Sequence, residues 1–197
     1  MSDTQALILE PTHELSSIRL EQVFANCFLA EFNTRLIGGY EEPLYQPETH
    51  AGNTALIQYR SDYFASALHE VAHWCIAGPA RRLQVDYGYW YAPDGRDADT
   101  QRQFELAEYK PQAMEWFFAK ACSSTFKLSL DNLSGNNIRA TDTQRFSQAV
   151  LEQAHRWLAS GLPPRGQRFF IALQQEFSCG QSTLPQKVLE FSAGELR

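Results

Sequence analysis

The stretch His69-Glu70-Val71-Ala72-His73 constrains this chain more than any other, because it lies in a segment, from about Asp62 to Ala77, that reads as a buried helix. Phe64, Leu68, Val71, Ala72, Trp74 and Ile76 make that segment apolar on most sides. Any fold that buries it must also provide for two imidazoles and a carboxylate, whose burial without partners is costly. Residues i and i+4 of a helix lie one above the other, so both rings can reach a single ion while Glu70 points beside it. Asp62 is a ready N-cap, and Gly78-Pro79 stops the run. A chain with five histidines that sets two of them around a glutamate on such a helix is better explained by a metal than by a solvated pair.

The rest of the pattern is that of an α+β protein, mainly helical, with a small β-sheet near the H-E-x-x-H helix. Leu20, Val23, Phe24, Cys27 and Phe28 predict an amphipathic helix from an N-cap at Ser16 or Ser17 to about Phe32. Gly38-Gly39 is expected to break the chain, and 40–47 to form a loop with a short extended piece. Ala55 to Tyr59 reads as a strand leading into the metal helix, and the aromatic run 85–91 as a strand closed by the turn Pro93-Asp94-Gly95. Asp97 or Thr100 can cap a helix carrying Phe104, Glu105 and Glu108, which is expected to kink or restart at Pro111. Phe146 to Leu158 and Phe169 to Phe177 keep helical spacing around Gly161 and Pro163-Pro164 and read as scaffold. His155 lies off that apolar face and is expected to be solvated, and 131–137 reads as a turn-rich loop.

At 197 residues, with no Pro-, Gly- or Ser-rich linker, the chain is expected to be a single domain, 1–197, loosely ordered at 1–15 and 181–197. The net charge of −6 argues against non-specific nucleic-acid binding. No apolar run is long enough to span a bilayer and no signal peptide is visible, which points to a cytoplasmic protein. Cys27, Cys75, Cys122 and Cys179 stand singly, as small hydrophobes rather than a metal or disulfide framework. The offset of Cys75 turns it away from the histidine face.

A third ligand is needed. A histidine six after His73 is excluded, because that position is Pro79. Glu105 and Glu108 share a face of the next acidic helix, and Glu108 is favoured because a break at Pro111 would let its turn open toward a neighbour. Two histidines and a carboxylate suit either a zinc peptidase or amidase, with Glu70 as general base, or a non-haem iron(II) oxygenase. The motif alone favours the hydrolase. A purely structural metal-binding module is a third possibility.

Three blocks together are more specific: His-Glu-Val-Ala-His-Trp-Cys-Ile-Ala-Gly at 69–78, Asp-Tyr-Gly-Tyr-Trp-Tyr-Ala-Pro-Asp-Gly-Arg-Asp at 86–97, and Gln-Phe-Glu-Leu-Ala-Glu-Tyr-Lys-Pro-Gln-Ala at 103–113. In these the chain resembles the bacterial elongation factor P hydroxylase family, over most of its length. The resemblance implies an oxygen-using hydroxylase acting on the β-lysylated lysine of elongation factor P, with a metal, Fe(II), held by His69, His73 and Glu108. It implies O2 as co-substrate, a supporting role for Glu70 in proton handling, and elongation factor P as the protein partner. The H-x-D signature of β-barrel oxygenases is absent, so nothing in the sequence assigns 2-oxoglutarate. A lysine substrate carries ammonium groups, for which Asp94 and Asp97 are candidate binding residues at the lip of the site.

Overall fold

The computed structural model describes residues 15–48, 52–88, 97–130, 140–177 and 189–196. The first helix, α1 (Ser17–Phe32), buries Leu20, Val23, Phe24, Cys27 and Phe28, the stripe its spacing predicts. Ser16 is its N-cap residue in extended conformation, with no side-chain capping bond. Asn33 ends the helix in the left-handed region, φ 45°, its N–H returning to the Leu29 carbonyl at 3.0 Å.

Three strands follow in the order β1-β3-β2: β1 (Thr34–Tyr40) is parallel to β3 (Ala55–Arg60), and β2 (Leu44–Gln46) is antiparallel to it. The expected break at Gly38-Gly39 does not occur. β1 runs through both glycines, and they produce instead a shift in register between Ile37 and Tyr40. The reason is tertiary. The Tyr59 ring and the Ser61 carbonyl approach so closely that a Cβ on Gly38 would fall 2.5 Å from Tyr59 Cζ, and Gly39 sits at φ +95°.

β3 feeds α2 (Phe64–Ile76). Asp62 does not cap it. The N-cap residue is Tyr63, extended and without a side-chain bond, and Asp62 lies in the preceding turn. The other end is closed from outside the helix. Arg165 donates from Nη2 to the carbonyls of Trp74 (3.0 Å), Cys75 (3.1 Å) and Ala77, and Arg82 donates to Ala77 at 3.0 Å. Two cations thus cover the carbonyls left open at the C-terminal end of the helix dipole.

Two 3-10 turns come next, Arg81–Leu83 and Val85–Gly88. The second corrects the aromatic strand expected at 85–91, of which 89–91 lies outside the described residues. Asp86 and Tyr87 adopt φ 47° and 57°, which no strand permits. Asp86 instead accepts from the Tyr45 N–H at 2.8 Å, satisfying a donor at the open edge of β2. The turn expected at Pro93-Asp94-Gly95 and the loop at 131–137 also lie outside the described residues.

Helix α3 (Ala98–Ala121) is capped by Asp97, whose carboxylate accepts from the Thr100 N–H at 2.8 Å. It does not restart at Pro111, which sits inside 24 uninterrupted helical residues. Proline removes one backbone bond. Ala113, Met114, Trp116, Phe117 and Phe118 directly beyond it are all buried, and their burial outweighs that loss. Helices α4 (Ala140–Ser160) and α5 (Pro164–Phe177) follow as expected, and α3 packs against α2, α4 and α5.

The core is aromatic. Trp74 meets Phe24, Phe28 and Phe32 at centroid distances of 5.2, 4.8 and 5.2 Å, and Phe169 joins from α5. Residues 189–196, expected to be loose, are held by the same means. Phe191 packs on Trp116 and Phe117 at 4.6 and 4.4 Å, Lys120 pairs with Glu195 at 2.6 Å, and a short 3-10 turn at Ala193–Leu196 buries Leu196. The start, 1–14, lies outside the described residues. Among the described residues no helix is long and apolar enough to cross a membrane.

Candidate metal centre

Helices α2 and α3 lie side by side, and their contact face brings together three donors far apart in sequence. His73 Nε2 stands 3.0 Å from His69 Nε2 and 3.1 Å from Glu108 Oε1, and His69 Nε2 is 3.3 Å from Glu108 Oε2. Donors bonded to one ion at about 2.1 Å, with angles of about 90–109°, stand about 3.0–3.4 Å apart. Each histidine nitrogen lies within that interval of one Glu108 oxygen, Oε1 for His73 and Oε2 for His69, and the set is two imidazole nitrogens and one carboxylate. Among the described residues this is the group of histidine, cysteine, aspartate or glutamate side chains that could hold a metal ion.

The orientation of His69 is fixed from behind by Glu115, whose Oε2 lies 2.8 Å from Nδ1. The carboxylate can only accept, so Nδ1 carries the proton and the Nε2 lone pair of the neutral ring is turned toward His73 and Glu108. Two lone-pair nitrogens 3.0 Å apart need either a proton or a cation between them. Burial opposes a charge on His69, yet Glu108 and Glu115 override it and raise its pKa well above the ordinary histidine value. Burial would likewise raise Glu108, but His73 and His69 hold it well below the usual carboxylate range. A buried cluster this ready to gather positive charge is suited to a dication.

Glu70 lies beside the group, partly buried. Burial pushes its carboxyl up, His69 and His73 oppose the shift, and Glu108 and Asp86 reinforce it. Glu105 is elsewhere. It turns to α4 and pairs with Arg145 at 2.8 Å, so of the two candidate glutamates only Glu108 faces the histidines. The route differs from the one expected, since no opening at Pro111 is involved; three residues of continuous helix separate a carboxylate facing α4 from one facing α2. Asp97 is exposed and engaged as the α3 cap, while Asp94 lies outside the described residues. Cys75 is buried, and His155, expected to be solvated, is exposed and has one ring nitrogen 3.1 Å from the Phe191 carbonyl oxygen.

Sequence reasoning missed two residues. Glu115 carried a readable signal. Gln101, Glu105, Glu108, Gln112 and Glu115 recur at the 4, 3, 4, 3 spacing of one helical stripe, and all five are buried, which no surface stripe would be. Tyr87 falls in the run expected to form a strand. It stacks on Tyr45 at 4.4 Å and 10°, and its ring lies parallel to that of His73 with centroids 6.2 Å apart. No pattern in the sequence announces that placement.

A cavity of about 360 Å³ opens along this flank, with His73 and Tyr87 in its lining and Ile76, Ala77, Leu106 and Ala107 as apolar walls. Residues 23–187 match the family described as elongation factor P hydroxylase. The chain is also 45% identical, over 156 residues, to the elongation factor P lysine hydroxylase of Haemophilus influenzae, an overlap that covers 79% of this chain and 86% of that protein.

Proposed function

Since the chain belongs to the elongation factor P hydroxylase family, we propose that it hydroxylates the lysine of elongation factor P that carries a β-lysyl group, using Fe(II) and O2. The observation that carries the metal assignment is the convergence of His69 Nε2, His73 Nε2 and a Glu108 carboxylate beside an open cavity. Two imidazoles and one carboxylate on one side of an ion leave its other positions free, the ligand set of non-haem Fe(II) oxygenases. Iron bound there would supply the oxidising power needed at an unactivated C–H bond.

The protein's own residues do the rest. Glu115 keeps the His69 tautomer that leaves Nε2 as a donor. Glu108 supplies the negative charge that retains a dication in a buried place. Glu70, its carboxyl raised by burial, is placed to hold a water or pass a proton at its carboxylate oxygens. The apolar walls of the cavity suit the methylene stem of a lysine. Negative charge on Asp94 and Asp97 would favour an incoming ammonium, with Asp97 acting through its field while its carboxylate caps α3. The reaction is cytoplasmic, where translation factors are modified.

The test is anaerobic reconstitution with Fe(II), then incubation with β-lysylated elongation factor P with and without oxygen, read by mass. One oxygen is added to the lysine only when iron and oxygen are both present, and zinc does not replace iron. Peptide cleavage supported by zinc and abolished in Glu70→Gln would replace this reading with that of a hydrolase.

A further inference from the structure

The outward side of α3 carries a stripe that neither the core nor the metal site uses. Arg102, Leu106 and Lys110 follow one another at four-residue spacing, so they lie along one side of the helix, and all three are exposed. A lone exposed leucine means little, but Leu106, 66% exposed, lies in the walls of two cavities. One is the metal cavity, which it lines beside Ala107 and Lys110. The other, of about 240 Å³, lies between α3 and α4. Arg102, Arg145 and Arg156 bring three guanidinium groups to this second cavity, and Tyr109 and Phe146 add ring surface. Its one carboxylate, Glu105, is buried and paired with Arg145 at 2.8 Å, while Asp142 takes the other arm of Arg145 at 3.0 Å. Among the described residues no carboxylate stands within ion-pair distance of Arg102, Lys110 or Arg156.

A chain with 23 acidic and 17 basic residues thus presents, next to its metal cavity, a face of uncompensated positive charge around one exposed leucine. The described lining of the metal cavity holds Arg81 and Lys110 and no aspartate or glutamate. Such a wall offers the stem of a lysine apolar contact and its ammonium no countercharge, so affinity for a protein substrate has to come in part from the surface around the cavity. We propose that the Arg102, Leu106 and Lys110 side of α3, with Arg145 and Arg156 of α4, is the docking surface for the body of elongation factor P. Carboxylates flanking its target lysine pair with the guanidinium and ammonium groups, and an apolar side chain packs on Leu106. This rests on the reading of elongation factor P as the protein substrate. Because Leu106 borders both cavities, a partner seated on it is already at the edge of the one that exposes His73. A nucleic-acid backbone shares the negative charge but fits less well: the net charge of −6 opposes it, and it has no apolar side chain for Leu106.

The test combines Arg102→Glu with Arg156→Glu in the full chain. Both side chains are exposed, so metal content and melting temperature stay at their wild-type values. Binding of β-lysylated elongation factor P to the metal-free protein weakens by about 10-fold or more at low salt, and its dependence on salt becomes shallower. Leu106→Ala weakens binding by about 3- to 10-fold at every salt concentration. In the iron-loaded enzyme these losses appear in KM rather than in kcat. Arg35→Glu with Arg60→Glu makes the same change of charge on exposed arginines of β1 and β3, and binds within about 2-fold of wild type. Equal weakening in that control, or wild-type affinity in Arg102→Glu with Arg156→Glu, overturns the proposal. So does a loss confined to binding of an RNA oligonucleotide, which would make the face a nucleic-acid site. Wild-type protein that binds elongation factor P through this face and leaves its lysine unmodified ends the hydroxylation reading and keeps the surface. A double variant that binds and hydroxylates as wild type does removes the surface alone, and wild-type protein that neither binds nor modifies elongation factor P overturns both.

Discussion

On one face of α2, His69 and His73 meet Glu108 and Glu115 from α3; on another, Trp74 lies among Phe24, Phe28, Phe32 and the guanidinium of Arg165, 4.8 Å from its ring. The polar face gathers charges whose burial is unfavourable until an ion joins them. The aromatic face has no such requirement and contributes burial, ring contacts and cation–π attraction at once. One helix thus carries a site that does not hold the fold and a core that does not touch the site. Stability and metal binding should be separable by mutation within residues one helical position apart, His73 and Trp74.

The largest effect is expected at the ligands. His69→Ala and His73→Ala each leave two donors and should abolish metal retention, measured as metal per protein after gel filtration, while circular dichroism stays helical. Stoichiometric metal in either variant would break the comparison on its polar side. Trp74→Ala should cost about 3–5 kcal/mol in denaturant unfolding of the metal-free protein. A cost below about 1 kcal/mol would mean that the aromatic face is not what holds the helix.

Glu115→Gln should keep all three donors and weaken metal binding about 10- to 100-fold, because an amide no longer enforces the His69 tautomer as a carboxylate does. Competition with a chelator reads this directly, and an unchanged affinity would remove Glu115 from the site. A smaller and pH-dependent difference belongs to the sheet. Burial, with the Glu21 carboxylate adding to it against a Ser17 bond, lifts the Tyr59 phenol to about 12 from an ordinary 10. Its folded pKa exceeds its unfolded one, so the stabilisation is complete below pH 10 and is lost as pH rises toward 12. Tyr59→Phe should flatten that part of the alkaline unfolding curve, and a curve of unchanged slope would show that other groups set it. Least of all is expected from Glu105→Gln. Its Arg145 partner is half-exposed, so stability should change by less than about 1 kcal/mol and metal content should not change. Loss of metal there would shift the ligand back by one turn.

Helices whose apolar stripe repeats cleanly were legible in the sequence: α1, α2, α4 and α5 fall where Leu20 to Phe28, Phe64 to Ile76, Phe146 to Leu158 and Phe169 to Phe177 place them. So was the pairing of His69 with His73, a matter of local spacing. What escaped depended on neighbours distant in sequence. Gly38 reads as a breaker until Tyr59 is seen pressed against it, and Pro111 as a stop until the buried rings beyond it are counted. Val85 to Gly88 has strand-forming residues, yet Tyr45 fixes it as a turn through the Asp86 carboxylate and the Tyr87 ring. Glu115 was a different kind of omission, since the stripe from Gln101 to Glu115 was visible and only its burial was not.

The arginine closure of α2 reaches beyond the helix end that it covers. His73 stands on the last turn of α2, where an ordinary helix frays, and a fraying turn would swing one donor out of register with the other two. Arg165, at the second position of α5, ties the carbonyls of that turn to a helix some 90 residues later in the chain, and Arg82 ties them to the segment that leads to Tyr87. The last turn therefore cannot open by itself: it belongs to the same cooperative unit as α5 and the Trp74 core. Its amides should exchange with solvent hydrogen as slowly as those of the core, which leaves the ligand nearest the cavity among the least mobile parts of the protein.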